Sequence, residues 1–407
     1  MPQFELSSTS SSVIEVSSCT WSKDTHNLFD FEAKEATLHH KTFSVREPIV
    51  FVRKQHEVDM VSVGAPTSSA PEDKLVQLTR DARGRFALQR PRLDIHDNRK
   101  IRCWQLIRAD EGTEHRLATG DILKFGRSQF RVRQLSLNAN GDTALDINSG
   151  CPACNVDPDF NLHHSADQPC RICLSDEITP EDPLLAPCQC KGSVQNIHLG
   201  CLRHWVRGRL GLEDGDRAFV YNDLSCELCK STYATRIETG TQSMPLIDVS
   251  SPFIILESIS DGRLFVLPFR DGKSIKIGRG HECDMNIHDT SISRLQATIE
   301  FEDENFVLKD SGSRFGTFLK ITKPWGLEDG AQITVQVGRT LLRLSSKHAA
   351  VDVTDETCED FQSATSSLQG DEDVEQLETE SVTKSASCTL DIQAASGSLQ
   401  GNCIDIE

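Results

Sequence analysis

Eight metal-type ligands recur at short fixed intervals, and this pattern constrains the fold more than anything else in the chain. They read Cys170-x2-Cys173, Cys188-x-Cys190, His198-x2-Cys201 and Cys226-x2-Cys229. Eight such ligands make two tetrahedral sites. Zinc suits them, because thiolate and imidazole bind this borderline-soft ion tightly, and four protein ligands with no open position mark a structural site rather than a hydrolytic one. Buried reduced cysteines are the competing reading, and the paired spacing weighs against it. A further pair, Cys151-Pro-Ala-Cys154, lies upstream with His163 and His164 nearby. It could form a third metal site, compete for the first, or consist of free cysteines in a linker, the plainest reading because the eight ligands already satisfy two ions.

Over about sixty residues this block closely resembles the RING-CH (RING-variant) family. The resemblance rests on the single residue between Cys188 and Cys190, on Pro187-Cys-Gln-Cys-Lys-Gly-Ser193, and on His198-Leu-Gly-Cys-Leu-Arg-His-Trp205. It implies a cross-brace: Cys170, Cys173, His198 and Cys201 on one zinc, and Cys188, Cys190, Cys226 and Cys229 on the other. Leu202, Trp205 and Val206, at i, i+3 and i+4, share one face of a short helix starting near His198. PHD fingers, which read histone tails, have the same order of ligand types. Their tryptophan lies two residues before the seventh ligand, where this chain has Leu224, whereas in RING-CH fingers it follows the sixth ligand by four, as Trp205 follows Cys201.

The resemblance implies a ubiquitin ligase without a catalytic side chain of its own. Such a finger grips a ubiquitin-charged E2 and gains rate by positioning the thioester-linked ubiquitin. Carried over, Ile172 and Trp205 face the E2, and Lys230 holds the place of a basic residue that in many RING domains contacts both E2 and ubiquitin.

Two β-rich regions flank the finger. The second contains Ile275-Lys-Ile-Gly-Arg279, Ser293-Arg294 and Ser313-Arg-Phe-Gly-Thr317, with alternating apolar stretches such as Ala297-Thr-Ile-Glu-Phe301 between them. This resembles a forkhead-associated (FHA) domain, an all-β sandwich that binds phosphothreonine through loops at one end. The resemblance implies that Arg279 and Ser293 contact the phosphate, with Arg294 and Arg314 adding to the site. An arginine fork plus a hydroxyl suits a phosphate dianion. Two departures stand out: Gln296 replaces the usual histidine of Ser-Arg-x-His, and Phe315 replaces the usual asparagine before Gly-Thr. The first region, around Pro48-Ile-Val-Phe-Val52 and Ile101-Arg-Cys-Trp-Gln-Leu-Ile107, lacks these loop motifs in its front half. It nevertheless ends like the second: Leu117-Ala-Thr-Gly-Asp-Ile-Leu-Lys-Phe-Gly-Arg parallels Leu327-Glu-Asp-Gly-Ala-Gln-Ile-Thr-Val-Gln-Val-Gly-Arg, each a closing β-hairpin. The first region therefore reads as a degenerate FHA-like copy kept for scaffolding.

The formal charge of -18 over 407 residues is concentrated at one end, with 14 Asp and Glu against two Lys from Ser346 to Glu407. Such a tail buries too little to offset its ordering entropy, so it is expected to be disordered. An acidic chain also weighs against nucleic acid as the main partner. No run approaches the roughly 20 apolar residues of a membrane helix, and no secretory leader is visible. Cytosol or nucleus follows as the expected compartment.

The expected architecture is multidomain: a small two-zinc cross-brace finger with all-β FHA-type sandwiches and disordered termini. The boundaries are a disordered Ser-rich 1–28, a β-rich 29–137, a linker 138–165, the finger 166–234, an FHA domain 250–346 and an acidic tail 347–407. The expected partners are an E2, ubiquitin and a phosphothreonine protein. The alternative is a non-enzymatic, phospho-dependent adaptor whose finger binds a partner such as a histone tail.

Overall fold

The structure, a computed structural model, describes residues 12–22, 27–32, 38–64, 73–91, 102–137, 145, 168–212, 217–222, 224–239, 242–270, 272 and 274–347. Cys151, Cys154 and the acidic tail beyond Lys347 lie outside them, as does the linker apart from Leu145. Among the described residues there is one α-helix, Leu199–Leu210, and the rest is mainly strand.

Alternating apolar residues in the two β regions form two sandwiches that share one eleven-stranded antiparallel sheet. At its centre Cys103–Ile107 pairs with Thr317–Lys320, with Ile107 opposite Thr317 and Trp104 opposite Lys320. Each chain segment leaving this pair crosses into the other region's sandwich. The closing hairpin of the first region, Ile122–Phe125 with Ser128–Ser136, therefore lies between Thr317–Lys320 and Phe253–Ser258. The closing hairpin of the second, Gln332–Val337 with Thr340–Lys347, lies between Cys103–Ile107 and Val13–Trp21.

The facing sheets repeat the exchange. Glu114–Arg116 completes the five-stranded sheet of Ile275–Gly278, Met285–Asn286, Ala297–Glu302 and Asn305–Asp310, while Trp325–Gly326 completes that of Ile49–Lys54, Glu57–Ser62, Asp73–Arg80 and Phe86–Gln89. Both cores are consequently mixed. Leu123, Phe125, Phe130 and Val132 pack with Ile254, Ile277, Ile299 and Leu308, and Ile333, Val335, Leu342 and Leu344 pack with Ile14, Phe51, Val76 and Leu88.

The expected boundaries change accordingly. Residues 29–137 and 250–346 are not two separate domains, because each supplies the last strands of the other's sandwich. Nor is 1–28 wholly unstructured: Val13–Trp21 is a strand between Thr340–Lys347 and Leu38–Val45. Its inward face reads Ile14, Val16, Ser18 and Thr20, all buried. The two hydroxyls are satisfied there: Ser18 Oγ donates to Lys41 O at 3.1 Å, and Thr20 Oγ1 shares a bond with Thr340 Oγ1 at 2.9 Å.

The finger is inserted between two neighbouring strands, since Ser136 and Phe253 face each other across the sheet. Its strand Phe219–Tyr221 pairs with Leu264–Pro268 and extends the long sheet. Phe253, Ile255, Leu264 and Val266 pack into the finger's core, while their neighbours Ile254, Leu256, Phe265 and Leu267 face the sandwich. Two cores on opposite faces explain why these strands read as unbroken apolar runs.

The exchange predicts that a fragment of residues 250–347 will not fold, because it lacks the strands covering Ile254, Ile277 and Leu308. Dispersed amide resonances from that fragment alone would contradict the exchange. In the full chain Phe130→Ala, at a side chain 2% exposed, should cost about 3–5 kcal/mol in denaturant titration and destabilise the sandwich formed mainly by residues 253–320.

Candidate functional site

Local turns bring the eight ligands into two sets. Cys170, Cys173, His198 and Cys201 form one, and Cys188, Cys190, Cys226 and Cys229 the other; within each, the ligand atoms lie within 4.8 Å of one another. The two Cys-x2-Cys turns are built alike. Leu174 N donates to Cys170 O and Lys230 N to Cys226 O, each at 2.9 Å, and both residues take left-handed φ values of 62° and 63°. His198 Nε2 lies 2.8 Å from Glu177 O, so a proton there leaves Nδ1, 3.2 Å from Cys173 Sγ, for the metal.

Arg171, between two ligands of the first set, reaches the second. Its guanidinium donates to Cys226 Sγ at 3.6 Å, Val194 O at 2.8 Å and Tyr233 Oη at 3.2 Å. Burial pushes the Cys226 thiol up, but N–H groups of Cys229 and Leu228 and the Arg171 guanidinium outweigh it and bring it down to about 5. Burial and neighbouring thiols push Cys188 and Cys201 up to about 12. A divalent cation removes that penalty by holding all the sulfurs as thiolates, so thiol chemistry and geometry both fit two zinc ions.

The helix Leu199–Leu210 buries Leu202 and Val206 as its spacing predicts, and leaves Trp205 half-buried, edge-on to Tyr233 at 5.7 Å. A groove of about 300 Å³ runs beside it, lined by Ile172, Val194, Leu202, Trp205, Leu228 and Tyr233 among others. Ile172 and Leu228, one from each Cys-x2-Cys turn, are 46% and 61% exposed. Ile172 and Trp205 were legible in the sequence; Leu228 was not, although it holds the same place before the last ligand that Ile172 holds before Cys173. Lys230 is exposed and does not line the groove.

At one end of the second sandwich three loops meet. Arg279 N donates to Ser293 O at 3.1 Å, and Arg314 N to Ser293 Oγ at 3.0 Å. Gly278 is required where the first two loops touch, since a Cβ there would lie 2.1 Å from Arg294 O. Gln296, fully buried, braces the loops: its Oε1 accepts from Ser293 N, and its Nε2 donates to Gly316 O and Thr317 Oγ1, each at 3.1 Å. The departure from histidine thus leaves the loops tied together. The guanidinium groups of Arg279 and Arg294 are exposed and have no ion-pair partner among the described residues, whereas Arg314 pairs with Asp30 at 2.6 Å.

The exchanged hairpin supports the Ser293 loop. The Asp289 carboxylate accepts Arg127 Nη2 at 2.9 Å, Ser128 Oγ at 3.0 Å and Ser291 N at 2.9 Å. Burial raises this carboxyl, but the hydrogen bonds dominate and hold it at about 2. Sequence reasoning missed this support, because Arg127 and Asp289 lie in different β regions.

Residues 170–229 match the RING-variant domain family, and residues 275–336 match the FHA domain family. The chain is similar to the E3 ubiquitin-protein ligase MARCHF8 of Xenopus tropicalis, 29% identical over 128 residues, which are 31% of this chain and 37% of that protein. It is 39% identical over 61 residues to the probable E3 ubiquitin-protein ligase MARCHF10 of Homo sapiens, covering 15% and 7% of the two chains. The ERAD-associated E3 ubiquitin-protein ligase DOA10 of Saccharomyces cerevisiae is 34% identical over 70 residues, covering 17% and 5%. The chain thus spans about a third of the first relative's length and under a tenth of the others'. No helix among the described residues is long and apolar enough to cross a membrane.

Elemental analysis should find two zinc ions per chain. Cys188→Ser should lose zinc and unfold the finger, since metal binding supplies much of the folding free energy of so small a unit. Cys151→Ser combined with Cys154→Ser should retain both ions; a third ion in the wild type, or loss of one in that double variant, would overturn the ligand set.

Proposed function

We propose that this chain is a RING-type ubiquitin-protein ligase whose finger holds a ubiquitin-charged E2 and whose second sandwich binds threonine-phosphorylated clients. The observation that carries the first part is the apolar groove between the two Cys-x2-Cys turns, with Ile172 and Leu228 exposed at its rim. Exposed apolar anchors beside a small rigid unit suit a protein partner. Zinc held by the two ligand sets would fix the spacing of those anchors and would supply no bond-making chemistry.

Rate is then gained by holding the E2 thioester and its ubiquitin in a reactive pose, and the attacking group is the client lysine, not a residue of this chain. Lys230, exposed directly after the last ligand, supplies the basic contact to ubiquitin. The similarity to E3 ligases supports the same reading.

The second part rests on the loop end. Arg279 and Arg294 lie on the two loops that meet at Ser293, are exposed and have no ion-pair partner among the described residues, and two arginines with a nearby serine suit a phosphate dianion. The first sandwich then acts as scaffold, supplying the hairpin that holds Asp289.

Ile172→Ala and Leu228→Ala should each keep two zinc ions while slowing E2-thioester discharge onto free lysine by roughly 30-fold, the equivalent of about 2 kcal/mol for one buried anchor. Lys230→Ala should spare E2 binding and slow discharge. Arg279→Ala should weaken retention of a degenerate phosphothreonine peptide library at least about tenfold and leave ubiquitin discharge unchanged. A wild-type chain that accelerates no E2 in a broad panel would leave the adaptor reading in its place.

A further inference from the structure

Residues 27–32 belong to the connection between Val13–Trp21 and Leu38–Val45 of the first sandwich, yet they lie against the ligand loops of the second. Phe31 N donates to Arg314 O at 3.0 Å, and the Phe31 ring packs on Trp104, Leu106 and Phe318. Arg108 stacks over that ring at 4.2 Å and also donates to Ser313 O at 3.1 Å. Phe29 joins Phe31 to Trp21 in a chain of ring contacts, and Gln336 Nε2 donates to Asn27 O. The segment is therefore anchored on both sides of Asp30, and its second acidic residue, Glu32, donates its N–H to Asp30 Oδ1 at 3.0 Å and adds its charge near Arg314. Between those anchors a single oxygen of Asp30, Oδ2, receives both Arg314 Nε at 3.0 Å and Nη2 at 2.6 Å, on the loop whose N–H binds Ser293 Oγ.

We propose that Asp30 is a built-in competitor for Arg314, so that this residue of the first β region sets how much of the site's positive charge a ligand can use. The inference rests on phosphopeptide binding by the second sandwich. Of the three arginines assigned to the phosphate, Arg279 and Arg294 have no ion-pair partner among the described residues, while Arg314 is held by Asp30; Arg108, which also reaches the loop, is already held by Asp110. A carboxylate tethered within hydrogen-bond reach acts at an effective concentration of about millimolar or more. A peptide carboxylate offers Arg314 nothing that Asp30 does not already supply. A phosphate monoester, with about -1.5 to -2 charge and three acceptor oxygens, can hold Arg279, Arg294 and Ser293 and still draw Arg314 away.

The test uses the full chain as wild type, Asp30→Asn, Arg314→Ala and the double variant. Binding of a degenerate phosphothreonine peptide library and its unphosphorylated counterpart is read by fluorescence anisotropy. Asp30→Asn keeps the shape of the side chain and the Phe31 anchor, and should tighten phosphothreonine binding by about two- to fivefold, the range of an exposed ion pair. Arg314→Ala alone leaves the Asp30 charge uncompensated by Arg314 and should weaken binding by about two- to fivefold, and the double variant should return to the wild-type value. No gain in Asp30→Asn, or a double variant that binds tighter than the wild type, overturns the competitor. A wild-type chain that binds both libraries equally overturns the phosphopeptide reading and the competitor with it.

Discussion

The antiparallel pairing of Cys103–Ile107 with Thr317–Lys320 is the contact on which the rest of the molecule depends. Side chains alternate faces along a strand, and along these two strands the inward-facing residues also change cores. Cys103 packs in the first core and Ile107 in the second, whereas Leu319 packs in the second and Ile321, just past its strand, in the first. The opposite face carries Trp104, Leu106 and Phe318 as a small cluster, with the Lys124 ammonium 4.3 Å from the Phe318 ring. Burial of that lysine brings it down to about 8. Each strand thus spans the boundary between two sandwiches, and the chain leaving it can only continue on the far side.

The position of the finger follows from the same exchange. Had each hairpin closed its own sandwich, Ser136 and Phe253 would have belonged to different units, and the finger would have been a bead on a linker. With the hairpins exchanged, those residues are cross-strand neighbours, and the finger is a long insertion between two strands of one sheet. It is held at further points: Phe219–Tyr221 extends the sheet, and Phe253, Ile255, Leu264 and Val266 of the sheet pack into the finger's core. Proximity contributes to transfer only when both reacting parts are held, and this attachment restricts the finger relative to the loops that would receive a client.

Spacing in the sequence made the zinc ligands legible because ligand sets of this kind are assembled from turns of a few residues, and the helix face of Leu202 and Val206 was legible for the same reason. The loops around Arg279 and Ser293 were legible as motifs, but their support was not. Gln296 looked like a loss and proves to be a brace, since an amide can accept from Ser293 N and donate to Gly316 O at once. Val13–Trp21 went unseen because half of its buried face is Ser18 and Thr20, which only a facing acceptor or hydroxyl makes tolerable. The exchange itself leaves no local trace. Both hairpins have the same alternation and the same Gly-Arg turn, so either satisfies either sandwich, and the choice is made by the central strand pair.

That choice places the crossover at the ligand end. Arg108, the first residue after the central strand, donates to Asp110 within the crossing turn and to Ser313 O in the ligand loop, and it stacks on Phe31 of the N-terminal segment. The Asp110 hydrogen bond, foremost among the causes, raises the Arg108 pKa, so the guanidinium remains charged at any physiological pH. One side chain therefore touches the crossover, the loop and the segment carrying Asp30. Anything that binds the assembled loops and not the unfolded chain stabilises the folded state by mass action. Because Arg127 and Ser128 of the first region's hairpin hold Asp289 in the loop before Ser293, that stabilisation extends to both sandwiches and, through the shared sheet, to the zinc finger's attachment.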